Sequence, residues 1–578
     1  MVVAFPELAG DASVRVYTSI HEKPAASAGF LLPAQSLNND KGKKVHFENQ
    51  LGYYQTLHMQ LPYSATTQQL FATLCGNKPH TLLLDSAEIQ SRQHLKSLLM
   101  TQASLQITCR AQQVTLRALT ANGAQLLPFM AQQLAPYAKC TGNSDSLQCY
   151  FNAVTTQDID EVQRLRQAST EHVLRILQQQ LKPLAASHDH DFALFIGGVF
   201  GYDYIASMED LPKVPTGANS CPDYQFYLAE SLVVIDHQAQ TTELLATLLS
   251  GPESANYYPR IAAQLGEIAA HCQLPALPAA NHATTAPKDR SVSASPSRPT
   301  YASWVQELQE HIADGDIFQV VPSRQFSLAC PDSLAAYQQL KASNPSPYMF
   351  YLQSDDFVLF GASPESALKY TAQTNQVELY PIAGTRPRGK NNDGTINPDL
   401  DSRLELELRC DQKELAEHLM LVDLARNDLA RIAQPGTRYV ADLLQVDRYS
   451  HVMHLVSRVV AQLDDELDAL HAYRACMNMG TLVGAPKVSA ARLIRHYEQQ
   501  RRGSYGGAVG YLNGRGDMDT CIVIRSAFVK DGVAHVQAGA GVVADSVAEA
   551  EIAETENKAR AVIAAIQATY SSEMEAPA

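Results

Sequence analysis

The sequence predicts an α+β fold built on a large antiparallel sheet system. Three observations carry this. Strand-like and helix-like stretches alternate after residue 300, hairpin signals stand at Asn513-Gly514 and Asp531-Gly532, and the chain closes on an amphipathic helix. Hydrophobic residues make up 46% and charged residues 18%, a globular mix that excludes a disordered or fibrous chain. With 578 residues, and roughly 150 residues per domain as a prior, two to four units are expected.

Residues 1–46 are weakly patterned, end near the basic stretch Lys41-Gly-Lys-Lys44, and read as a loose extension without an assigned role. Residues 47–272 form a mixed N-terminal region. It holds the apolar run Thr81–Leu84, a helical stretch from Asp158 to Gln180 and a second apolar run, Phe192–Tyr202. Residues 273–300 are rich in Pro, Ala, Ser and Thr without an apolar period, which predicts a linker. Residues 301–578 form the tightly patterned remainder. Tyr301 to Gly315 reads as an amphipathic helix, and the helix Glu414–Arg431 should bury Leu415, Leu419, Val422 and Leu429. Asp519–Ala527 reads as one strand within a three-stranded meander over 507–543. The last helix is announced by the capping box Ser546-Val-Ala-Glu549 and should bury Ile552, Ala559, Val562 and Ile566.

A net charge of −15 argues against broad binding of nucleic acid or anionic membranes. No apolar run approaches the roughly 18 residues of a membrane span. The start, MVVAFPELAGD, lacks the basic region of a signal peptide. Ten scattered cysteines without a CxxC suggest reduced thiols in a cytoplasmic protein.

Several residues could carry chemistry. Glu417 on one helix and Glu554 on another read as solvated faces, with Glu551 and Lys558 as helical neighbours of Glu554. One carboxylate from each helix could instead hold Mg²⁺, which prefers hard oxygen ligands. Arg525 lies in an apolar strand and needs an anion, either a structural carboxylate or a carboxylate of a substrate. The glycines of Gly539-Ala540-Gly541 mark a bulge or a backbone close to a ligand. Pro381–Gly389 is a second turn able to offer N–H groups and a hydroxyl to an anion. Gly480–Lys487 faintly resembles a phosphate loop, but Pro486 and the missing GK[ST] ending reject nucleotide binding. His454 alternates with Val452 and Val456 as a half-buried strand residue does, and read alone it is an ordinary core histidine.

Taken in order, the motifs PSPYMF (345–350), GASPES (361–366), PIAGTRPRG (381–389), ELAEHLMLVDLARNDLAR (414–431), DRYSHVMHLVSRV (447–459), MNMGTLVGAPK (477–487), RRGSYGGAVGY (501–511), DTCIVIRSA (519–527), QAGAGVVADS (537–546) and ETENKAR (554–560) resemble the anthranilate synthase component I family. The resemblance runs from about residue 50 to the C-terminus and is dense beyond 300. It implies a two-domain α+β fold whose two large antiparallel sheets frame a cleft, with helices around them. It implies Mg²⁺-dependent amination of chorismate by ammonia, then loss of pyruvate to leave anthranilate.

By the same resemblance the metal ligands fall on Glu417 and Glu554. The chorismate contacts fall on Gly384, Thr385, Tyr505, Arg525, Gly539, Ala540 and Gly541. Glu365 matches the general acid for the leaving hydroxyl, and His454 the histidine near the carbon that loses a proton. Related enzymes that make aminodeoxychorismate carry lysine at the position of Ala383, and isochorismate-forming ones carry it at the position of Gln319; a catalytically dead tryptophan sensor is a further alternative. No cysteine sits in a glutaminase elbow, so the resemblance implies a separate glutamine amidotransferase subunit, commonly in a heterotetramer of two plus two chains. It also implies feedback by L-tryptophan at Ser86, Lys96, Pro347, Tyr348 and Met349, with Asp85 standing where the family pattern has glutamate.

Overall fold

The computed structural model describes residues 50–86, 95–153, 160–184, 190–273, 287, 289–449 and 452–570. It also describes two short antiparallel strands, Leu37–Asn38 and Lys44–Val45. Met1–His46 and Phe47–Ala578 form separate units. The account below concerns the second.

Its principal strands are β1 (Tyr53–Leu61), β2 (Thr81–Asp85), β3 (Lys96–Arg110), β4 (Ile196–Phe200), β5 (Tyr224–Asp236), β6 (Thr241–Leu249), β7 (Ser323–Ala329), β8 (Tyr348–Gln353) and β9 (Val358–Ser363). They continue as β10 (Ser366–Thr371), β11 (Gln376–Leu379), β12 (Ile382–Pro387), β13 (Tyr439–Arg448), β14 (Val452–Gln462), β15 (Ala508–Leu512), β16 (Met518–Ile522), β17 (Ser526–Lys530) and β18 (Val533–Gly539). The helices that matter for the site are α1 (Arg298–Ala313), α2 (Ser333–Ser343), α3 (Gln412–Ala430), α4 (Gly480–Val483), α5 (Lys487–Glu498) and α6 (Ala548–Gln567).

Among the described residues, 23 strands join one hydrogen-bonded system. It runs as two branches that share β5. One passes through β3, β2, β8, β9, β17 and β18 to β7. The other passes through β4, β15, β16, β10 and β11 to β14, whose other neighbours are β12 and β13. Every pairing named here is antiparallel. Strands from before and after residue 300 therefore interleave: β2 lies beside β8, and β4 beside β15. The runs Thr81–Leu84 and Phe192–Tyr202 are apolar throughout because they are buried between the branches. Leu82, Met100, Phe195, Val199, Phe350, Leu359, Val509 and Phe528 form one core there. Removing that apolar surface from water, at about 25 cal/mol per Å², is the main force joining the branches.

Several expectations need correction. Asp519–Ala527 is two strands, because Arg525 adopts φ +49 between β16 and β17. The meander is thus two hairpins, β15–β16 and β17–β18, whose inner strands pair elsewhere. Asp531 and Gly532, at φ +51 and +75, make the two-residue turn that Asp-Gly predicts. Ser546 does not cap the last helix: its hydroxyl accepts from the Val543 N–H, and α6 begins after Val547 without a side-chain cap. The four apolar positions foreseen in α6 are buried. On α3, Leu419 faces solvent and Leu421 takes its place inside. The stretch from Asp158 splits into helices Glu161–Arg166 and His172–Gln180, its first residues lying outside the described ones. The expected linker ends early, since Ser293–Ser295 pairs with β7 and Ser297 caps α1.

Candidate active site

Glu365 sits in the turn between β9 and β10. That turn is fixed by the Ser363 hydroxyl, which accepts from the Glu365 N–H at 3.3 Å, and by the Ile522 N–H donating to the Glu365 carbonyl at 3.0 Å. Its carboxyl is buried, which pushes its pKa up to about 8 against the opposing pull of Thr481, Lys558 and Arg525. Thr481, on α4, places its hydroxyl 3.2 Å from Glu365 Oε1.

On β12 and β14, Thr385 stands opposite His454. The ladder slips between Ala383 and Thr385, where Gly384 adopts φ +75. His454 Nδ1 lies 3.0 Å from Thr385 Oγ1 and 3.2 Å from the Gly384 carbonyl. A carbonyl only accepts, so Nδ1 carries the hydrogen and Nε2 keeps its lone pair. Burial drives the imidazole down to about 4, with Arg525 and Lys558 acting in the same direction, so it is neutral at ordinary pH.

Two helices bring carboxylates to this place. Glu417 on α3 is pushed up to about 7, chiefly by burial, with Glu414, Glu554 and Glu551 adding to the rise and Lys413 opposing it. Glu414 is paired with Arg386 at 3.0 Å and Glu554 with Lys558 at 2.5 Å. Among the described residues, Glu417 pairs only with Lys413, at 4.0 Å. Glu417 and Glu554, one from each helix and close enough for the charge of one to act on the other, offer hard oxygens of the kind a small divalent cation takes.

Arg525 is half-buried, and among the described residues no carboxylate forms an ion pair with it. Its pKa is lowered by burial, which Tyr505, Glu554 and Glu365 partly offset. The Tyr505 ring is buried beside Gly539, and a Cβ on Gly539 would stand 3.1 Å from the Tyr505 hydroxyl. Lys558 Nζ donates to the Gly539 carbonyl at 3.0 Å. The Ala540 N–H is bound to the Pro322 carbonyl, and a Cβ on Gly541 would lie 2.4 Å from Gln319 Nε2. Glu365, His454, Gly384, Thr385, Tyr505, Arg525, Gly539, Glu417 and Glu554 thus share one electrostatic neighbourhood, with Ala540 and Gly541 following directly in the chain. Sequence reasoning gave no role to Thr481, which lies in the motif 477–487 and in the rejected phosphate loop, or to Lys558, which lies in the motif 554–560 and was read as a helical neighbour of Glu554.

The sequence profile of the chorismate binding enzymes matches residues 131–564. The anthranilate synthase component 1 of Vibrio cholerae is 56% identical over 515 residues, 89% of this chain and 96% of that protein. The protein of that name from Escherichia coli K12 is 53% identical over 510 residues, 88% of this chain and 96% of that one. This chain belongs to the anthranilate synthase component 1 family. The crystal structure of anthranilate synthase component I from Streptococcus pneumoniae has the same fold, with a TM-score of 0.61 at 28% identity, covering 82% of this chain and 95% of that one.

Ala383 is half-buried on β12, and Gln319 is buried with no hydrogen-bond partner for its Oε1 among the described residues. A cavity of about 150 Å³ opens between the two sheet branches. Ser86, Lys96, Tyr348 and Met349 line it together with Asp85, Phe192, Tyr511 and Asp519, whereas Pro347 is buried and does not border it. Lys96 Nζ sits 5.3 Å over the Phe192 ring. Asp85 is held by Lys341 on α2 and by the Ser97 hydroxyl.

Proposed function

We propose that the chain aminates chorismate with ammonia and then eliminates pyruvate to give anthranilate, the committed step toward tryptophan. The observation that carries this is Arg525, a half-buried guanidinium without an ion-paired carboxylate among the described residues, close enough to Glu365 and Glu554 for their charges to act on it. Chorismate is a dicarboxylate, so one carboxylate suits the Arg525 fork with the Tyr505 hydroxyl and the backbone of Gly539 to Gly541. Mg²⁺ would be held by Glu417 and Glu554 and would supply positive charge for the ring carboxylate. Glu365, protonated below about pH 8, donates its proton to the departing hydroxyl. Neutral His454, with its Nε2 lone pair free, takes the ring proton as pyruvate leaves, while Thr385 and Gly384 hold the ring of His454. With alanine at 383 and glutamine at 319, no lysine stands ready to attack the ring or to activate water, so ammonia adds directly.

Ammonia is scarce at neutral pH, and the name component 1 carried by the relatives goes with a second component. We infer a glutamine amidotransferase partner, in a two-plus-two assembly. The cavity walled by Ser86, Lys96 and Tyr348 suits L-tryptophan: apolar and aromatic walls for the indole, charged groups for the zwitterion. All ten cysteines are free thiols, in keeping with a cytoplasmic enzyme. Among the described residues no helix is long and apolar enough to cross a membrane.

The test is Arg525→Ala, assayed by anthranilate fluorescence with chorismate, Mg²⁺ and ammonium. Hydrogen bonds to charged groups contribute about 1.5–3 kcal/mol, so KM for chorismate should rise roughly ten- to a hundred-fold. An unchanged KM would remove Arg525 from the substrate site.

A further inference from the structure

We propose that His58, His190 and Glu243 bind one transition-metal dication such as Zn²⁺, at a site distinct from Glu417 and Glu554. His58 on β1 and Glu243 on β6 are diagonal neighbours across two paired strands, opposite Leu245 and Gln60 respectively. His190 arrives on the segment that leads into β4. The ligand atoms of the three side chains all lie within 4.8 Å of one another. His58 Nε2 is 3.1 Å from Glu243 Oε1, and His190 Nε2 is 3.0 Å from Glu243 Oε2. Ligands on a tetrahedral ion at about 2.0–2.1 Å stand roughly 3.3–3.4 Å apart, so each histidine–carboxylate pair needs to open by only a few tenths of an ångström, while the two imidazoles start within 4.8 Å.

Two imidazoles and one carboxylate select zinc, cobalt, nickel or copper over Mg²⁺, and three protein ligands leave a position for water. The side chains of His58, His190 and Glu243 are 29%, 16% and 26% exposed, so an ion can enter from solvent. Without metal, the carboxylate bridges the two imidazoles. The Phe192 N–H donates to His190 Nδ1 at 3.1 Å, which leaves the ring hydrogen on Nε2, facing Glu243. Ligation moves that hydrogen to Nδ1 and releases the Phe192 N–H. Phe192 walls the cavity at Ser86 and Lys96, so the metal acts on the lining of a site it does not touch.

The rival is a purely hydrogen-bonded triad. The full chain, stripped with chelator and held in excess Mg²⁺ to occupy Glu417 and Glu554, is titrated with Co²⁺ by visible absorption and with Zn²⁺ by calorimetry. One ion per chain should bind, with ligand-field bands and no thiolate charge-transfer band. His58→Gln and His190→Gln should each weaken binding by about tenfold or more, since even outer-shell partners of a metal ligand contribute 10–100-fold. Anthranilate formation, read in the same samples, should stay at the parental rate. Should a histidine variant prove unstable, Glu243→Gln reads the same loss. No saturable binding, a thiolate band, or equal affinity in the variants would overturn the site.

Discussion

Glu365 is a buried carboxyl whose proposed role as an acid would come at a cost in stability. Its pKa in the folded chain is about 8, above the ordinary 4.5, so the folded state holds the proton more tightly than the unfolded state. Stability is then lost as pH rises from about 4.5 toward 8. In Mg²⁺-free buffer at pH 8, Glu365→Gln should melt higher than the parent, and the gain should vanish near pH 4.5. The same variant should lose about 10²–10⁴ in turnover, the usual contribution of general acid catalysis. Parental kcat/KM should fall above about pH 8 as the carboxyl ionises. A variant that melts lower than the parent at pH 8, or a flat profile through that pH, would contradict the assignment. Glu365 and His454 were legible only through their motifs. In isolation each is an unremarkable residue, and what shifts their protonation is burial and the groups around them. Thr481 and Lys558 went unread for the same reason: their part is contact with Glu365 and Gly539, which no residue type announces.

At the scale of elements, the sheet was legible where a period of two and turn chemistry agree, as in the hairpin at Asp531-Gly532. It was illegible where backbone conformation overrides the pattern. Arg525 at φ +49 ends a run that alternates apolar residues on both sides, and a non-glycine residue in that region cannot be read from hydropathy. Leu419 misled because two faces of α3 carry leucines, and packing on β12 and β14 decides between them. Two glycines separate fold from function. Gly532→Ala has open space around it but a turn that needs φ +75, so it should cost about 1 kcal/mol in melting and leave turnover intact. Gly384→Ala, also at φ +75, would put Cβ 3.0 Å from Leu408 and 3.2 Å from Glu414, and its carbonyl orients His454. It should cost about 1–3 kcal/mol and lower turnover as well. Equal behaviour of the two variants would mean that the β12 slip has no catalytic role.

Across the whole molecule, the shared sheet connects the cavity between the branches to the strands that carry the proposed site. Val509 and Tyr511 on β15, with Asp519 and Cys521 on β16, line the cavity, and the same hairpin is flanked by Tyr505 and Arg525. If tryptophan occupies the cavity as proposed and prefers one arrangement of this hairpin, it would shift the affinity for substrate, and reciprocity would then require chorismate to weaken tryptophan binding by the same factor. Ser86→Phe should keep uninhibited turnover while raising the half-inhibitory tryptophan concentration about tenfold or more; unchanged sensitivity would place regulation elsewhere. The interleaving of the two halves is itself a long-range property that local sequence cannot announce, although the motifs predicted the family from which it follows. The central claim is the reaction. Incubating the purified chain with chorismate, Mg²⁺ and ammonium, then resolving every product, tests it most directly. Anthranilate and pyruvate should form in equal amounts with ammonium and not with glutamine alone, whereas isochorismate, 4-amino-4-deoxychorismate or unconverted chorismate would contradict it.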